Sequence, residues 1–336
     1  MTAAFSSISE FKSVLTNAPN PNQKAMRDAT AHNGQLTKPP SALGRLEDIA
    51  IWYASWRGEV TPQIENPQVI IFAGNHGVTA RGVSAFPADV TAQMVMNFQH
   101  GGAAINQLAK TFGAKMNVHA LDLDNPTQDF TKGPAMSADE CLAALQIGWD
   151  AVDPETDLLV TGEMGIGNTT SAAAIACALF GGEPSTWVGK GTGVDDAGVA
   201  LKSQVVSDGL AANTDRDPMA ILAAFGGREV VAMAGAIARA RVLSIPVILD
   251  GFICTAAAAC LESAQLGALD HCVAGHQSDE QAHIKLLTAL NKKPLLALDM
   301  RLGEGSGAAL AIGIVKAAVA CHSGMATFAQ AGVSEG

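Results

Sequence analysis

Residues 157–180 read DLLVTGEMGIGNTTSAAAIACALF, and the fold turns on how this stretch divides. DLLVTGE (157–163) is a short apolar run that ends on a carboxylate. A turn with Gly165 and Gly167 follows, and then an alanine-rich apolar segment opens at Asn168. A strand that enters a helix through a glycine loop satisfies all three features.

The same grammar recurs on both sides. VIIFAG (69–74), MNVHALDLD (116–124), IPVILDG (245–251), HCVAGHQ (271–277) and PLLALD (294–299) are short apolar runs ending in polar or glycine-rich loops. Most are followed by an alanine-rich helical stretch. Continuous apolar strands alternating with helices predict an α/β fold, with a mainly parallel, Rossmann-like sheet covered by helices on both faces. The first 67 residues carry no convincing strand. In TKPPSALGRLEDIAIWYASW, Ser41 is placed to cap a helix in which Leu43, Leu46, Ile49, Ala50 and Tyr53 share one face. The expected organisation is a helical segment of a small subdomain over 1–67, an α/β catalytic domain over 68–315, and a carboxyl-terminal helix and tail over 316–336 that packs with the small subdomain.

Composition narrows the partners. The chain has 336 residues, 48% of them hydrophobic and 16% charged, which suits a globular protein with a large core. Its net charge of −11 and single Tyr argue against nucleic acid and against an anionic membrane surface. The opening MTAAFSSISEFKSVL lacks the pattern of a secretory signal, and Asp250, Gly251 and Pro246 break the apolar run IPVILDGFICTAAAACL. A soluble cytoplasmic protein is expected. The six cysteines form no CxxC pair and mostly sit in apolar runs, so neither a zinc site nor a disulfide framework is expected.

Chemistry-bearing residues gather in the loops after the strands: GNHG (74–77), EMGIGNTT (163–170), GHQSDEQAH (275–283) and MRLGEGSG (300–307). In an open parallel sheet that end is where ligands bind. Gly165 and Gly167 allow close backbone approach, Asn168, Thr169 and Thr170 offer donors, and a helix amino terminus favours an anion, so the loop reads as a phosphate site. It lacks the lysine of a P-loop, but Lys202 from the segment WVGKGTGVDDAGVALK can supply the charge. Asp195 and Asp196 in that segment read better as a helix start than as a metal pair. Ser84, Phe86, Gln93 and Met94 outline an apolar slot with polar ends that suits a flat heterocycle, although core packing explains Phe86 and Met94 equally well. Glu163 and Glu304 are the two loop carboxylates that follow strands. In an apolar, glycine-lined pocket such acids have raised pKa values, which suits proton transfer near neutrality; a pair of them is equally compatible with glycoside hydrolysis.

TKPPSALGRLE, AGNHGVTARGVSAFPADVTAQMV, GGAAINQLA, GEMGIGNTTSAAA, VGKGTGVDD, GGREVVAMAGA, DGFICTAAA, RLGEGSGAAL and MATFAQAGVSE, taken in order, resemble the nicotinate-nucleotide–dimethylbenzimidazole phosphoribosyltransferase family over nearly the whole chain. The resemblance implies transfer of the phosphoribosyl group of nicotinate mononucleotide to dimethylbenzimidazole with inversion, yielding α-ribazole phosphate and nicotinate for the lower ligand of cobalamin. It implies that Glu304 is the general base and Glu163 an electrostatic helper beside the ribose. It also implies that Gly165, Asn168, Thr169, Gly191, Lys202 and Ser278 bind the mononucleotide, and that Ser84, Phe86, Gln93 and Met94 bind the base. No metal or cofactor is expected, and a homodimer is. The chain departs from the usual family pattern at Phe86, where Tyr is common, and at Ala282 before His283.

Overall fold

The computed structural model describes residues 4–191 and 193–334. Seven strands form in it: β1 Pro67–Ala73, β2 Lys115–Ala120, β3 Leu158–Met164, β4 Val247–Leu249, β5 Cys272–Ala274, β6 His276–Gln277 and β7 Leu296–Ala297. The first five make one sheet in the order β2-β1-β3-β4-β5, and every pairing in it is parallel. The expected run 271–277 is split at Gly275: β5 ends the main sheet, and β6 pairs in parallel with β7. Leu295 and Leu296 donate their backbone N–H groups to Ala274 and Gly275, so β7 continues the edge of the sheet around the bend.

Strand side chains point alternately to two faces. Ile70, Phe72, Leu159, Val247 and Leu249 enter one core, together with the helices Ala138–Ala151, Asn168–Phe180, Arg228–Val242 and Phe252–Ala264. Val69, Ile71, Leu158, Val160 and Ile248 enter the other, with Arg45–Arg57, Ala104–Phe112 and Ser306–Gly324. Both faces are therefore desolvated, which explains why these strands read as continuous apolar runs. Helix Ser306–Gly324 is apolar and long enough to cross a membrane by composition alone, but 50% of that window is buried within the fold.

The helices before β1 divide between the two faces. Arg45–Arg57 packs against Gln23–Gln35 and Ser306–Gly324. His32 reaches the carbonyl of His322 at 3.0 Å, and Leu36 pairs with Thr327, so the carboxyl-terminal end closes onto this group of helices. Helix Ile8–Thr16 belongs to the opposite face, where Phe5 stacks edge-on against Phe11 and Trp149. The helix containing Ile49, Ala50 and Tyr53 begins later than expected, at Arg45 after Gly44. Ser41 does not cap it. The backbone N–H of Leu43 is taken instead by the buried carboxylate of Glu47, which also pairs with Lys38 at 2.9 Å.

Candidate active site

A cleft opens at the carboxyl ends of the strands. Its lining comes from the loops after β1 (Val83, Ser84), β3 (Glu163–Thr169), β4 (Asp250–Cys254), β6 (Ser278, Glu280) and β7 (Arg301–Glu304), with Lys202 and Gly191 at one end. The loop after β2 takes no part in that lining.

The end near Lys202 is built for an anion. Helix Asn168–Phe180 starts at Gly167, which has a φ of 92°, and no side chain caps it. The N–H groups of Asn168 and Thr170 close turns onto the carbonyls of Gly165 and Gly167, the N–H of Thr169 has no such partner among the described residues, and the helix dipole favours negative charge there. Lys202 is only 2% exposed, and its ammonium donates to Thr169 Oγ1 at 3.1 Å and to the carbonyl of Gly189 at 3.3 Å. An ammonium has three donors, so one is left for a ligand. Burial lowers its pKa, while the charge of Glu280 works in the opposite direction. Asp195 caps helix Asp196–Ala212 through the N–H of Gly198, and Asp196 pairs with Lys190, so that acidic pair and Lys190 are used locally.

Glu163 and Glu304 meet at the other end. Glu163 is 7% exposed and accepts a hydrogen bond from the Asn168 amide. Burial, followed by the charges of Glu229, Asp250 and Glu304, outweighs this bond and raises its pKa to about 8. Glu304, also 7% exposed, is raised to about 7, first by burial and then by the charge of Asp250. Its φ of 62° lies in the left-handed region, between Gly303 at 81° and Gly305 at 75°. A non-glycine residue held there costs roughly 1–3 kcal/mol unless its surroundings enforce it. They do. A Cβ on Gly162 of β3 would lie 2.6 Å from the backbone of Glu304 and Gly305, so only glycine lets the loop settle against the strand.

Ser278 is held by a neighbour rather than by its own turn. Its N–H donates to His283 Nδ1 at 3.0 Å, and His283 Nε2 lies 3.0 Å from Thr255 Oγ1. A ring nitrogen that accepts a backbone N–H must be unprotonated, so Nε2 carries the hydrogen and His283 is neutral. Its burial agrees, because it lowers the pKa to about 3.

Of the residues expected at the site, Glu163, Gly165, Asn168, Thr169, Gly191, Lys202, Ser278, Glu304 and Ser84 line the cleft together. Phe86, Gln93 and Met94 do not. Phe86 is 48% exposed beyond the rim, Gln93 is exposed on helix Asp89–Gln99, and Met94 packs against the core. The structure adds Asp250, His276, Glu280 and Arg301 to the lining. A buried chain also runs beneath the glycine loop, with Ser171 Oγ 3.0 Å from His76 Nδ1 and His76 Nε2 2.5 Å from Glu229 Oε1. Asp250, just after β4, follows the same strand-end logic as Glu163, so its position was available as a signal, whereas Glu229 lies in the first turn of a helix that follows another helix. Among the described residues, no group of three or more His, Cys, Asp or Glu is arranged to hold a metal ion.

A family model described as phosphoribosyltransferase matches residues 18–333. A nicotinate-nucleotide–dimethylbenzimidazole phosphoribosyltransferase of Ruegeria pomeroyi is 68% identical over 336 residues, covering 100% of both chains. One of Roseobacter denitrificans is 64% identical over 337 residues, again covering 100% of both. The crystal structure of such an enzyme from Thermus thermophilus superposes with a TM-score of 0.88 at 39% identity, covering 94% of this chain and 100% of that one.

Proposed function

The chain belongs to the phosphoribosyltransferase family whose model spans its residues 18–333, and from that premise we propose how its cleft works. The enzyme transfers the phosphoribosyl group of nicotinate mononucleotide to dimethylbenzimidazole with inversion, forming α-ribazole 5'-phosphate and nicotinate for the lower ligand of cobalamin. The observation that carries the assignment of roles is the polarity of the cleft. A buried ammonium and an uncapped helix start lie at one end, and two carboxylic acids with raised pKa values lie at the other.

The donor phosphate binds at Lys202, Thr169 and the helix amino terminus, with Gly165, Gly191 and Ser278 shaping the passage for the ribose. The acceptor's imidazole N–H faces Glu304, whose pKa of about 7 lets it be ionised and yet basic near neutrality. Glu304 takes that proton as the other ring nitrogen attacks the anomeric carbon. A carbon–nitrogen bond forms on one face of the ribose while the bond to nicotinate breaks on the other. The breaking bond's electron pair neutralises the pyridinium, so the leaving group needs no acid. Before the donor binds, Glu163 is neutral, with a pKa of about 8. The cationic donor ring brings positive charge against it, which favours ionisation, and the resulting carboxylate stabilises the oxocarbenium-like ribose. Asn168 orients Glu163 through one amide N–H and keeps the other for the donor.

Ser84 at the rim and the neighbouring Phe86, Gln93 and Met94 form the acceptor side once the segment after β1 folds over the bound base. The proposal includes a homodimer, a cytoplasmic location, and a helical subdomain that joins the segment 1–67 to 316–336, except for helix Ile8–Thr16, which packs on the opposite face. The contacts of His32 with His322 and Leu36 with Thr327 support that last point. Sedimentation of the purified chain tests the dimer, and a monomer at assay concentration removes it.

The deciding experiment incubates the purified protein with nicotinate mononucleotide and dimethylbenzimidazole in chelator, and follows nicotinate and the ribosylated base by chromatography. One-for-one, acceptor-dependent appearance of both is expected. Nicotinate released equally fast without acceptor would make the protein a hydrolase, the other chemistry that paired carboxylates support.

A further inference from the structure

We propose that Asp250 is a positioning residue for Glu304: from the end of β4 it accepts the backbone N–H groups of Gly305 and Ala308, and so fixes the loop that presents the base. This rests on the assignment of Glu304 as that base.

Helix Ser306–Gly324 has glycine at its N-cap and no side-chain cap of its own. Asp250 supplies one from another strand. Its Oδ2 accepts Gly305 N–H at 3.1 Å and its Oδ1 accepts Ala308 N–H at 2.9 Å, and the residue is 2% exposed. These two N–H groups at the helix start are otherwise unpartnered, so the bridge that Asp250 makes between them is the cap of this helix. The segment it ties down is the one with three consecutive left-handed residues, Gly303, Glu304 and Gly305. The geometry of Glu304 is thus enforced from two sides, by Gly162 below and by Asp250 at the helix start.

The same placement has an electrostatic consequence. The charged or titratable groups around Glu304 are Glu163 after β3, Asp250 after β4, His276 on β6, Glu280 and Arg301 at the mouth, and Lys202 on helix Asp196–Ala212. Of these, Asp250 is the one whose charge raises the proton affinity of Glu304, after burial. His276 Nδ1 stands 3.7 Å from Asp250 Oδ1, too far for a hydrogen bond, and has no hydrogen-bond partner among the described residues. One carboxylate therefore both aims the base and sets its strength.

The test is the pH profile of kcat for Asp250→Asn, measured beside Glu304→Gln. Asparagine keeps the shape but loses the charge and one of the two acceptors. Expected are a fall in kcat of about 10–100-fold, a donor KM within about threefold, and an acid limb displaced about half a unit or more to lower pH, since Glu304 loses the charge that raised it. A kcat lowered with the acid limb unmoved would mean a merely structural role and overturns the inference. Wild-type kcat does the same. If Asp250→Asn does not fold, Asp250→Glu decides: it keeps the charge but displaces the two acceptor oxygens, so kcat is expected to fall about 10-fold or more with the acid limb little moved, and wild-type kcat overturns the inference. Glu304→Gln separates the two failures. If it stays active, the reading of Glu304 falls; if it is inactive while Asp250→Asn behaves as wild type, only the role of Asp250 falls.

Discussion

The two sides of the cleft differ in how far each is organised ahead of its substrate. On the donor side, Lys202 is joined to Thr169 at the phosphate end and Asn168 to Glu163 at the carboxylate end, with Lys202, Asn168 and Glu163 buried. On the acceptor side, Ser84 alone of the four expected base-binding residues reaches the cleft, and Phe86 stands half in solvent. A phosphate and a cationic ring need charges fixed in place before binding, because reorganising buried polar groups is costly. A flat apolar base needs area and shape, which a mobile rim can supply on contact. Glu304 sits with Glu163 at the carboxylate end, on a loop whose residues Gly303, Glu304 and Gly305 are all left-handed.

That contrast breaks first if Glu304 is removed. Glu304→Gln is expected to lower kcat by about 10²–10⁴ while leaving donor affinity within about threefold, because the phosphate is held at the far end. Calorimetry of nicotinate mononucleotide binding to the variant checks the second part. Loss of donor binding would show the two ends to be one coupled unit.

The donor side's preorganisation also has a cost that can be read as stability. The folded pKa of Glu163 is about 8 against an ordinary value of 4.5, so between those values the native state holds more protons than the unfolded chain. The unfolding free energy then falls as pH rises, starting above the unfolded pKa and continuing through the folded one. Each unit of difference corresponds to about 1.4 kcal/mol, so the effect is a few kcal/mol. Urea unfolding of Glu163→Gln between about pH 5 and 8.5 is expected to show a shallower decline than wild type. Identical slopes would mean that Glu163 is not held neutral.

Lys202→Met comes next. A hydrogen bond to a charged group contributes about 1.5–3 kcal/mol, so donor KM is expected to rise roughly 10–150-fold with kcat nearly unchanged. The melting temperature should hold or rise, since a buried ammonium with a lowered pKa is replaced by an apolar chain of similar length. An unchanged donor KM would locate the phosphate elsewhere.

How much of this was legible in the sequence follows from the same contrast. Five of the six apolar runs formed the main sheet, most legibly β1, β3 and β4, which are buried on both faces, and the strand-end rule brought Glu163, Glu304 and the GIGNTT loop into one cleft. The bend at Gly275 was not legible, since one apolar run served two short strands. Asp250 read only as a polar break in an apolar run, because its role depends on two N–H groups more than fifty residues away, at Gly305 and Ala308. Asn168 read as a phosphate donor, and the bond that one of its amide N–H groups makes to Glu163 was not legible in the spacing. Phe86, Gln93 and Met94 came from local chemistry and family resemblance, and neither fixes the attitude of an exposed segment.

Phe86 offers the smallest effect and the sharpest view of the rim. Its backbone N–H donates to Ser84 Oγ at 3.2 Å, so the ring is tied to the one residue of its group that lines the cleft. A shift of this short segment on binding would carry the ring over the base, and stacking there would be worth roughly 0.5–1.5 kcal/mol. Phe86→Ala is therefore expected to raise acceptor KM about three- to tenfold and leave donor KM alone, measured at saturating donor. Phe86→Tyr should keep the acceptor KM and change the relative use of acceptors that can pair with a hydroxyl, because a pocket discriminates strongly through groups it must satisfy. If Phe86→Ala leaves acceptor KM unchanged, the ring stays in solvent throughout the reaction, and base selection rests on Ser84, Leu302 and the position of Glu304.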